Sequence, residues 1–148
     1  MKQIDKYLEN NSISLSRFIN HCLYMKDYGF YQNNKIGKHF LTAPEVSQLF
    51  GECIALFFVV IMKKIKVENF CELGPGNGSL MRDIILTISK FIRKKLAFFL
   101  YDKSILLKSI QEKNLTELIS NNINIEFVDK LKLCHKPILF ICNEFFDA

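Results

Sequence analysis

Three glycines at alternate positions, Gly74, Gly76 and Gly78, separate a short apolar segment from a segment with helical periodicity. The short, mainly apolar segment 69–73 predicts a buried strand, and residues 79 to about 93 predict a helix. Glycine permits a tight turn and a close approach of backbone to ligand, and the helix that follows offers free amide groups at its N-terminus. The sequence therefore predicts a ligand-binding loop at a strand-to-helix junction, with a plain turn as the alternative.

The spacing of these glycines argues against a nicotinamide-dependent dehydrogenase. The dinucleotide fingerprint is G-x-G-x-x-G, whereas here the third glycine arrives one position early and Ser79 stands where the fingerprint requires glycine. Glu72 adds an acidic side chain two positions before the first glycine. A dehydrogenase is therefore the less favoured enzyme class.

Apolar segments alternate with helical ones along the rest of the chain. Residues 96–101, 123–128 and 137–142 predict three further strands, and residues 104 to about 119 predict another helix. Continuously apolar strands separated by helices indicate a parallel sheet that is covered on both faces. The predicted fold is α/β, a doubly wound parallel sheet in residues 67–148, preceded by a helical extension in residues 1–66.

The extension carries its own helix signals. Ser14 predicts the N-cap of a helix that continues to about residue 25, and a polar loop is expected over residues 32–39. Thr42 and Glu45 predict a capping box, and Pro44 suits the first helical turn. One continuous helix is expected from there to about Lys64. Its apolar residues recur at helical spacing: Val46, Leu49, Phe50, Cys53, Ile54 and Phe57.

Polar side chains follow two of the predicted strands. Asp102 ends the second strand, where a carboxylate can accept hydrogen bonds from the vicinal hydroxyls of a ribose. A helix N-cap or a solvated turn is the alternative for Asp102. Asn143 and Glu144 follow the fourth strand, together with Phe145, Phe146 and Asp147. Because parallel strands end at one edge of a sheet, these side chains are expected beside the glycine loop, although a capped loop with core aromatics is the alternative.

Composition and charge exclude several other classes. Hydrophobic residues make up 49% of the chain and charged residues 24%, which indicates a globular protein with a real core. The net charge is +5, and the basic residues cluster at 63–66 and 93–95, near predicted helix ends. No aromatic residues interleave these clusters, so solvated helix ends are favoured over a nucleic-acid surface.

Cysteine usage and the N-terminus bear on the compartment. The five cysteines show no C-x-x-C spacing, so buried structural thiols in a reducing compartment are expected rather than disulfides or a zinc site. The most apolar run, residues 53–62, is shorter than the about 20 residues that a bilayer span needs. The first residues show neither a signal peptide nor a convincing transit peptide, so the cytoplasm is the expected location.

Three motifs in fixed order resemble one known family. The segment ELGPGNG at residues 72–78 is similar to motif I of class I S-adenosylmethionine-dependent methyltransferases. Together with TAPEVSQLFGE at 42–52 and NEFFDA at 143–148, it resembles the MidA-like family, and LYMKDYGFYQ at 23–32 fits the aromatic-rich turn of that family. The resemblance implies a partial Rossmann-like sheet and a methyltransferase. Mitochondrial members of the family assist complex I assembly and methylate arginine on a complex I subunit, so relatives in eukaryotes are expected in the mitochondrial matrix.

The resemblance also implies roles for individual residues, with S-adenosyl-L-methionine as cofactor. Gly74, Gly76 and Gly78 would wrap its methionine and adenosine parts. Glu72 would help to hold the ammonium end, and Asp102 would bind the ribose. The remaining implied positions are a lid or wall at the cofactor edge, formed by Thr42, Pro44 and Glu45, and a pair beside the sulfonium, formed by Asn143 and Glu144. Glu144 is the expected main carboxylate for the substrate guanidinium, with Asp147 as a second acid nearby.

Two departures from the family pattern remain. Lys38 and His39 stand where the family has Gly-Asp, which leaves the role of that aspartate open. Family members also continue well beyond this length, so residues 67–148 are expected to be the N-terminal part of a cofactor-binding domain truncated after its fourth strand. The expected partners are a protein substrate, such as a respiratory-complex subunit, and the missing C-terminal half as a separate chain. An inactive remnant or a partner-binding fragment without turnover is the alternative.

Overall fold

Four five-residue strands form one parallel sheet in the computed structural model, which describes residues 5, 8, 9, 12–34, 42–131 and 136–146. The strands are β1 (Asn69–Leu73), β2 (Ala97–Tyr101), β3 (Asn124–Val128) and β4 (Ile138–Cys142). Their order in the sheet is β3-β2-β1-β4, with every neighbouring pair parallel. The predicted parallel α/β fold is confirmed, and each strand begins within one residue of its predicted start.

The strand order reverses at β1. The chain moves from β1 outward to β2 and β3, and then returns to place β4 on the other side of β1. In open α/β sheets such a reversal leaves a crevice at the carboxyl ends of the strands. The register aligns Leu73 with Tyr101 on β2 and with Cys142 on β4, so the loops after these three strands start at the same level.

Seven helices accompany the sheet within the described residues, and two predicted continuous helices are each divided. The helices are α1 (Leu15–Tyr24), α2 (Phe30–Asn33), α3 (Ala43–Val46), α4 (Gln48–Lys64), α5 (Ser79–Phe91), α6 (Ile105–Asn114) and α7 (Thr116–Ser120). Ser47 is extended, with φ −152°, and its side chain accepts a hydrogen bond from Leu49 N, so α4 starts from its own cap. Leu115, with ψ 4°, separates α6 from α7. The predicted start of the polar loop at residue 32 is wrong, because Gln32 and Asn33 lie in α2.

The core lies between the sheet and the pair α4 and α5. Phe70 of β1 stacks on Phe98 of β2 at a centroid distance of 5.3 Å, and Phe58 of α4 lies 5.5 Å from Phe70. α5 contributes five residues to this core: Leu80, Met81, Ile84, Ile85 and Ile88. The two helices approach closely at Gly51, where a Cβ atom would lie 2.7 Å from Asp83 Cβ.

The apolar residues predicted along α4 lie only in part on its inner side, where Phe50 and Ile54 pack against the core. Leu49 and Phe57 are 67% and 62% exposed, whereas the buried residues of α4 are Gly51, Ala55, Phe58 and Val59. α4 is apolar on nearly all sides, so periodicity alone does not identify the inner face. The close approach of α5 at Gly51 selects it instead. No helix in the described ranges is both long and apolar enough to cross a membrane.

The cysteines differ in burial. Cys71 is buried in β1, and burial raises the pKa of its thiol to about 11. Cys22 is half-buried, Cys53 lies on the outer side of α4, and Cys142 is exposed on β4. The prediction of buried thiols is therefore wrong for Cys53 and Cys142. Cys134 lies outside the described residues, as do Lys38 and His39.

Candidate functional site

The glycine loop after β1 has a backbone conformation that amino acids other than glycine rarely adopt. Gly74, Gly76 and Gly78 have φ of 68°, 57° and 85°, in the left-handed region that favours glycine. Gly74 N donates to Tyr101 O at 3.0 Å, which ties the loop to the end of β2. A Cβ atom on Gly74 would lie 2.6 Å from the ring of Phe145, so this position is restricted by contact as well as by φ.

Glu72 is a buried carboxyl group immediately before the loop. It is 2% exposed, and its Oε2 has no hydrogen-bond partner among the described residues. Burial raises the pKa of Glu72 to about 8; a backbone hydrogen bond from Met81 opposes the shift, and the charge of Asp102 adds to it. Such an orphaned oxygen at a cavity wall suits a cationic ligand group.

Asp102 follows β2 directly and is held by two hydrogen bonds. Its Oδ1 accepts from Ser104 N at 2.8 Å, and its Oδ2 accepts from Gln111 Nε2 at 3.0 Å. Burial raises the pKa of Asp102, and these hydrogen bonds oppose the shift. The N-cap of α6 is Ser104, whose Oγ accepts from Leu107 N, so the helix-cap alternative for Asp102 is excluded.

The loop is joined to the helical extension through Glu45. Asn77 Nδ2 donates to Glu45 Oε1 at 2.9 Å, and the same carboxylate accepts from Thr42 N at 3.4 Å within the predicted capping box. Asn77 Oδ1 also accepts from Ser79 N at 2.9 Å. The side chain of Asn77, which was not among the predicted site residues, therefore links the predicted lid to the glycine loop.

Two aromatic residues of the extension also reach the site. Tyr24 of α1 and Tyr31 of α2 line the same cavity as Asp102, and burial followed by the charge of Asp102 raises the pKa of both phenols. Ser104 Oγ donates to Tyr31 O, which fastens α2 to the start of α6. Neither tyrosine is among the predicted site residues, although both lie in the aromatic-rich turn at residues 23–32.

The segment after β4 forms the remaining side. Asn143 is half-buried, Glu144 is exposed with φ 55°, and both line the cavity. Phe145 contacts Tyr101 edge-on at a centroid distance of 6.4 Å. Left-handed φ is uncommon for a residue with a side chain and is often found at functional sites. Asp147 lies outside the described residues.

These elements enclose a cavity of about 460 Å³. Its volume lies within the range of small-molecule sites. All the predicted site residues line it except Gly78, which lies behind the loop, where a Cβ atom would be 3.6 Å from Gln111 Cγ. The lining residues predicted from sequence are Thr42, Pro44, Glu45, Glu72, Gly74, Gly76, Asp102, Asn143 and Glu144. An orphaned acid, a second acid and a glycine cradle fit a ligand with an ammonium group and a ribose.

Comparison with known proteins finds a family model and several relatives. The model described as "Putative S-adenosyl-L-methionine-dependent methyltransferase" matches residues 53–148. The mitochondrial protein arginine methyltransferase NDUFAF7 of Xenopus laevis is 32% identical over 98% of the chain, and its homolog in Caenorhabditis elegans is 30% identical over 98%. The chain spans about 40% of the length of each of these relatives.

Solved structures show the same fold. A protein from Burkholderia thailandensis, solved with bound S-adenosyl-homocysteine, superposes with a TM-score of 0.76 at 22% identity. The match covers 95% of this chain and 38% of that one. A native structure from the same organism gives a TM-score of 0.70 at 19% identity.

Proposed function

Since the chain belongs to the family of S-adenosyl-L-methionine-dependent methyltransferases, we propose that its cavity binds S-adenosyl-L-methionine and serves the methylation of arginine in a protein. The observation that carries this proposal is that the glycine loop, Glu72 and Asp102 share one cavity at the carboxyl ends of β1 and β2. The arginine part draws on the relatives named protein arginine methyltransferases.

The residues that would hold the donor follow from their chemistry. Glu72 would face the ammonium group, since a cation stabilises its ionised form. Asp102 would accept hydrogen bonds from the ribose hydroxyls, with its orientation already fixed by Ser104 and Gln111. The loop at Gly74 and Gly76 would allow close backbone approach. When bound, the donor supplies a methyl group made electrophilic by its attachment to positively charged sulfur.

The remaining task of the chain is to orient the acceptor. Alignment of two reacting groups at about 3–3.5 Å supplies a large part of the rate in such a transfer. A guanidinium is recognised by carboxylates in a planar fork and by the faces of aromatic rings. Glu45, Glu144, Tyr24 and Tyr31 offer both kinds of group on the same cavity. We propose Glu144 as the main carboxylate that binds the substrate guanidinium, with Asn143 beside it. That the substrate is a respiratory-complex subunit is implied by the family resemblance and stays a prediction.

Donor binding is tested by calorimetric titration of the purified chain with S-adenosylhomocysteine. We expect saturable binding by the unmodified chain and at least tenfold weaker binding by Asp102→Ala. This variant lacks the carboxylate that would accept the ribose hydroxyls, and the loss of about 1.4 kcal/mol of hydrogen bonding weakens binding tenfold. Asp27→Ala, which removes an exposed acid in the turn after α1, should bind as the unmodified chain does. Absence of binding by the unmodified chain would refute the proposal.

The arginine assignment is tested by titrating the chain, saturated with S-adenosylhomocysteine, with an arginine-containing peptide and with its lysine-substituted counterpart. We expect tighter binding of the arginine peptide, and loss of that preference in Glu144→Gln. Glu112→Gln serves as the control, because Glu112 is exposed on α6 and does not line the cavity. Equal binding of both peptides by the unmodified chain would contradict the assignment.

A further inference from the structure

Gln111 is a polar side chain on the apolar inner side of α6. It is 0% exposed, and the residues one turn before and after it, Leu107 and Leu115, are buried hydrophobic residues. Gln111 does not line the cavity. A buried amide among leucines needs strong hydrogen bonds to be tolerated, because its desolvation otherwise destabilises the fold.

The amide of Gln111 joins two parts of the site that belong to different strands. Its Nε2 donates to Gly76 O at 2.9 Å in the loop after β1, and to Asp102 Oδ2 at 3.0 Å after β2. Both hydrogens of the amide are therefore used, and both acceptors line the cavity. A side chain without these donors would leave Gly76 O and Asp102 Oδ2 without the hydrogen bonds from residue 111.

We infer that Gln111 is a positioning residue for the nucleoside end of the ligand, because it fixes the Asp102 carboxylate relative to the glycine loop. This inference rests on the proposed function. Gln111 acts through Asp102 and Gly76, so its effect should depend on the ribose hydroxyls of the ligand. A residue that merely stabilises the fold would instead weaken all ligands of the cavity to the same degree.

The test compares S-adenosylhomocysteine with its 2′,3′-dideoxy analogue, which lacks both ribose hydroxyls. In the unmodified chain we expect the hydroxylated ligand to bind at least tenfold more tightly. Gln111→Met has similar length without a donor, and in this variant the preference should fall by about tenfold, the worth of one hydrogen bond to a charged group. Dissociation constants are measured by calorimetry.

Asn114→Ala is the matched control. Asn114 lies one turn further along α6, and its Nδ2 donates to Asn77 O at 3.0 Å, so it also holds a loop carbonyl but does not contact Asp102. This variant should keep the full preference for the hydroxylated ligand.

The outcomes distinguish a failure of the proposed function from a failure of the inference about Gln111. If the unmodified chain binds neither ligand, the proposed function fails. If it binds and prefers the hydroxylated ligand, but Gln111→Met keeps that preference, the role of Gln111 is overturned. Should Gln111→Met fail to fold, NMR of the unmodified chain decides. The side-chain amide resonances of Gln111 should shift with S-adenosylhomocysteine and much less with the dideoxy analogue, and equal shifts would overturn the inference.

Discussion

At the scale of single residues, Glu72 lines the cavity and also affects the stability of the chain. Burial raises its pKa to about 8 from an ordinary value of 4.5, so the folded chain holds this proton more strongly than the unfolded chain does. The free energy of unfolding should therefore fall as the pH rises from about 4.5 to about 8, and level off above that.

Glu72→Gln should remove this pH dependence. The difference in unfolding free energy between the variant and the unmodified chain should grow by a few kcal/mol across the interval, since one pKa unit corresponds to about 1.4 kcal/mol. Urea denaturation at a series of pH values measures it, with Glu112→Gln, an exposed substitution, as the control. The same pH slope for Glu72→Gln and the unmodified chain would show that Glu72 does not titrate as described.

Alanine substitutions at Gly74 and Gly78 separate the destabilisation caused by contact with Phe145 from that caused by the backbone conformation. Both glycines have positive φ, but an alanine Cβ would meet Phe145 at 2.6 Å only at Gly74, whereas at Gly78 its nearest neighbour lies at 3.5 Å. Gly78→Ala should destabilise the chain by about 1–2 kcal/mol for the left-handed backbone. Gly74→Ala should destabilise it further because Phe145 must move. Urea denaturation compares the two, and equal losses would argue against the Phe145 contact.

The residues of the site differ in how far sequence reveals them. Glu72, the three glycines and Asp102 are identifiable because each stands at a strand end in a local pattern. Gln111 and Asn77 are not, because the contacts that make them part of the site are to Glu45, Gly76 and Asp102, which lie 9 to 35 residues away. One signal was present, since Gln111 interrupts a series of buried leucines: Leu107 on α6, Leu115 directly after it and Leu118 on α7.

At the scale of elements, the crossing of α4 and α5 depends on the absence of a side chain at Gly51. An added Cβ atom would lie 2.7 Å from Asp83 Cβ, close to the backbone of α5, so the helices would have to separate. Gly51→Ala should therefore destabilise the chain by about 1–3 kcal/mol. Cys53→Ala, on the exposed side of the same helix, should change stability little. Thermal unfolding distinguishes them, and similar melting temperatures would contradict the close crossing.

The elements also show where sequence patterns lose resolution. The strands are predicted closely because each is a short apolar run with clear ends. The inner face of α4 is predicted only in part, because its sequence is apolar on nearly all sides and only its packing against α5 distinguishes inner from outer residues. The helix breaks at Ser47 because this residue directly follows α3 and caps α4 with its own side chain. Periodicity does not detect such a restart.

At the scale of the whole molecule, the site is a product of topology. β1 lies between β2 and β4, and the loops after all three strands contribute to one cavity that the helical extension closes from the side. Contacts from Glu45 to Asn77 and from Tyr31 to Ser104 connect the extension to those loops. Both parts of the chain therefore form the cavity, although its acidic groups and its glycine loop come mainly from the sheet edge.

An amide NMR titration of the ¹⁵N-labelled chain with S-adenosylhomocysteine tests the central claim most directly. The account predicts saturable shifts that are largest at Gly74, Gly76 and Lys103, with small changes at Ser89 and Ile119, which do not line the cavity. Shifts concentrated on the exposed face of α4, or none at the glycine loop at saturating ligand, would contradict it.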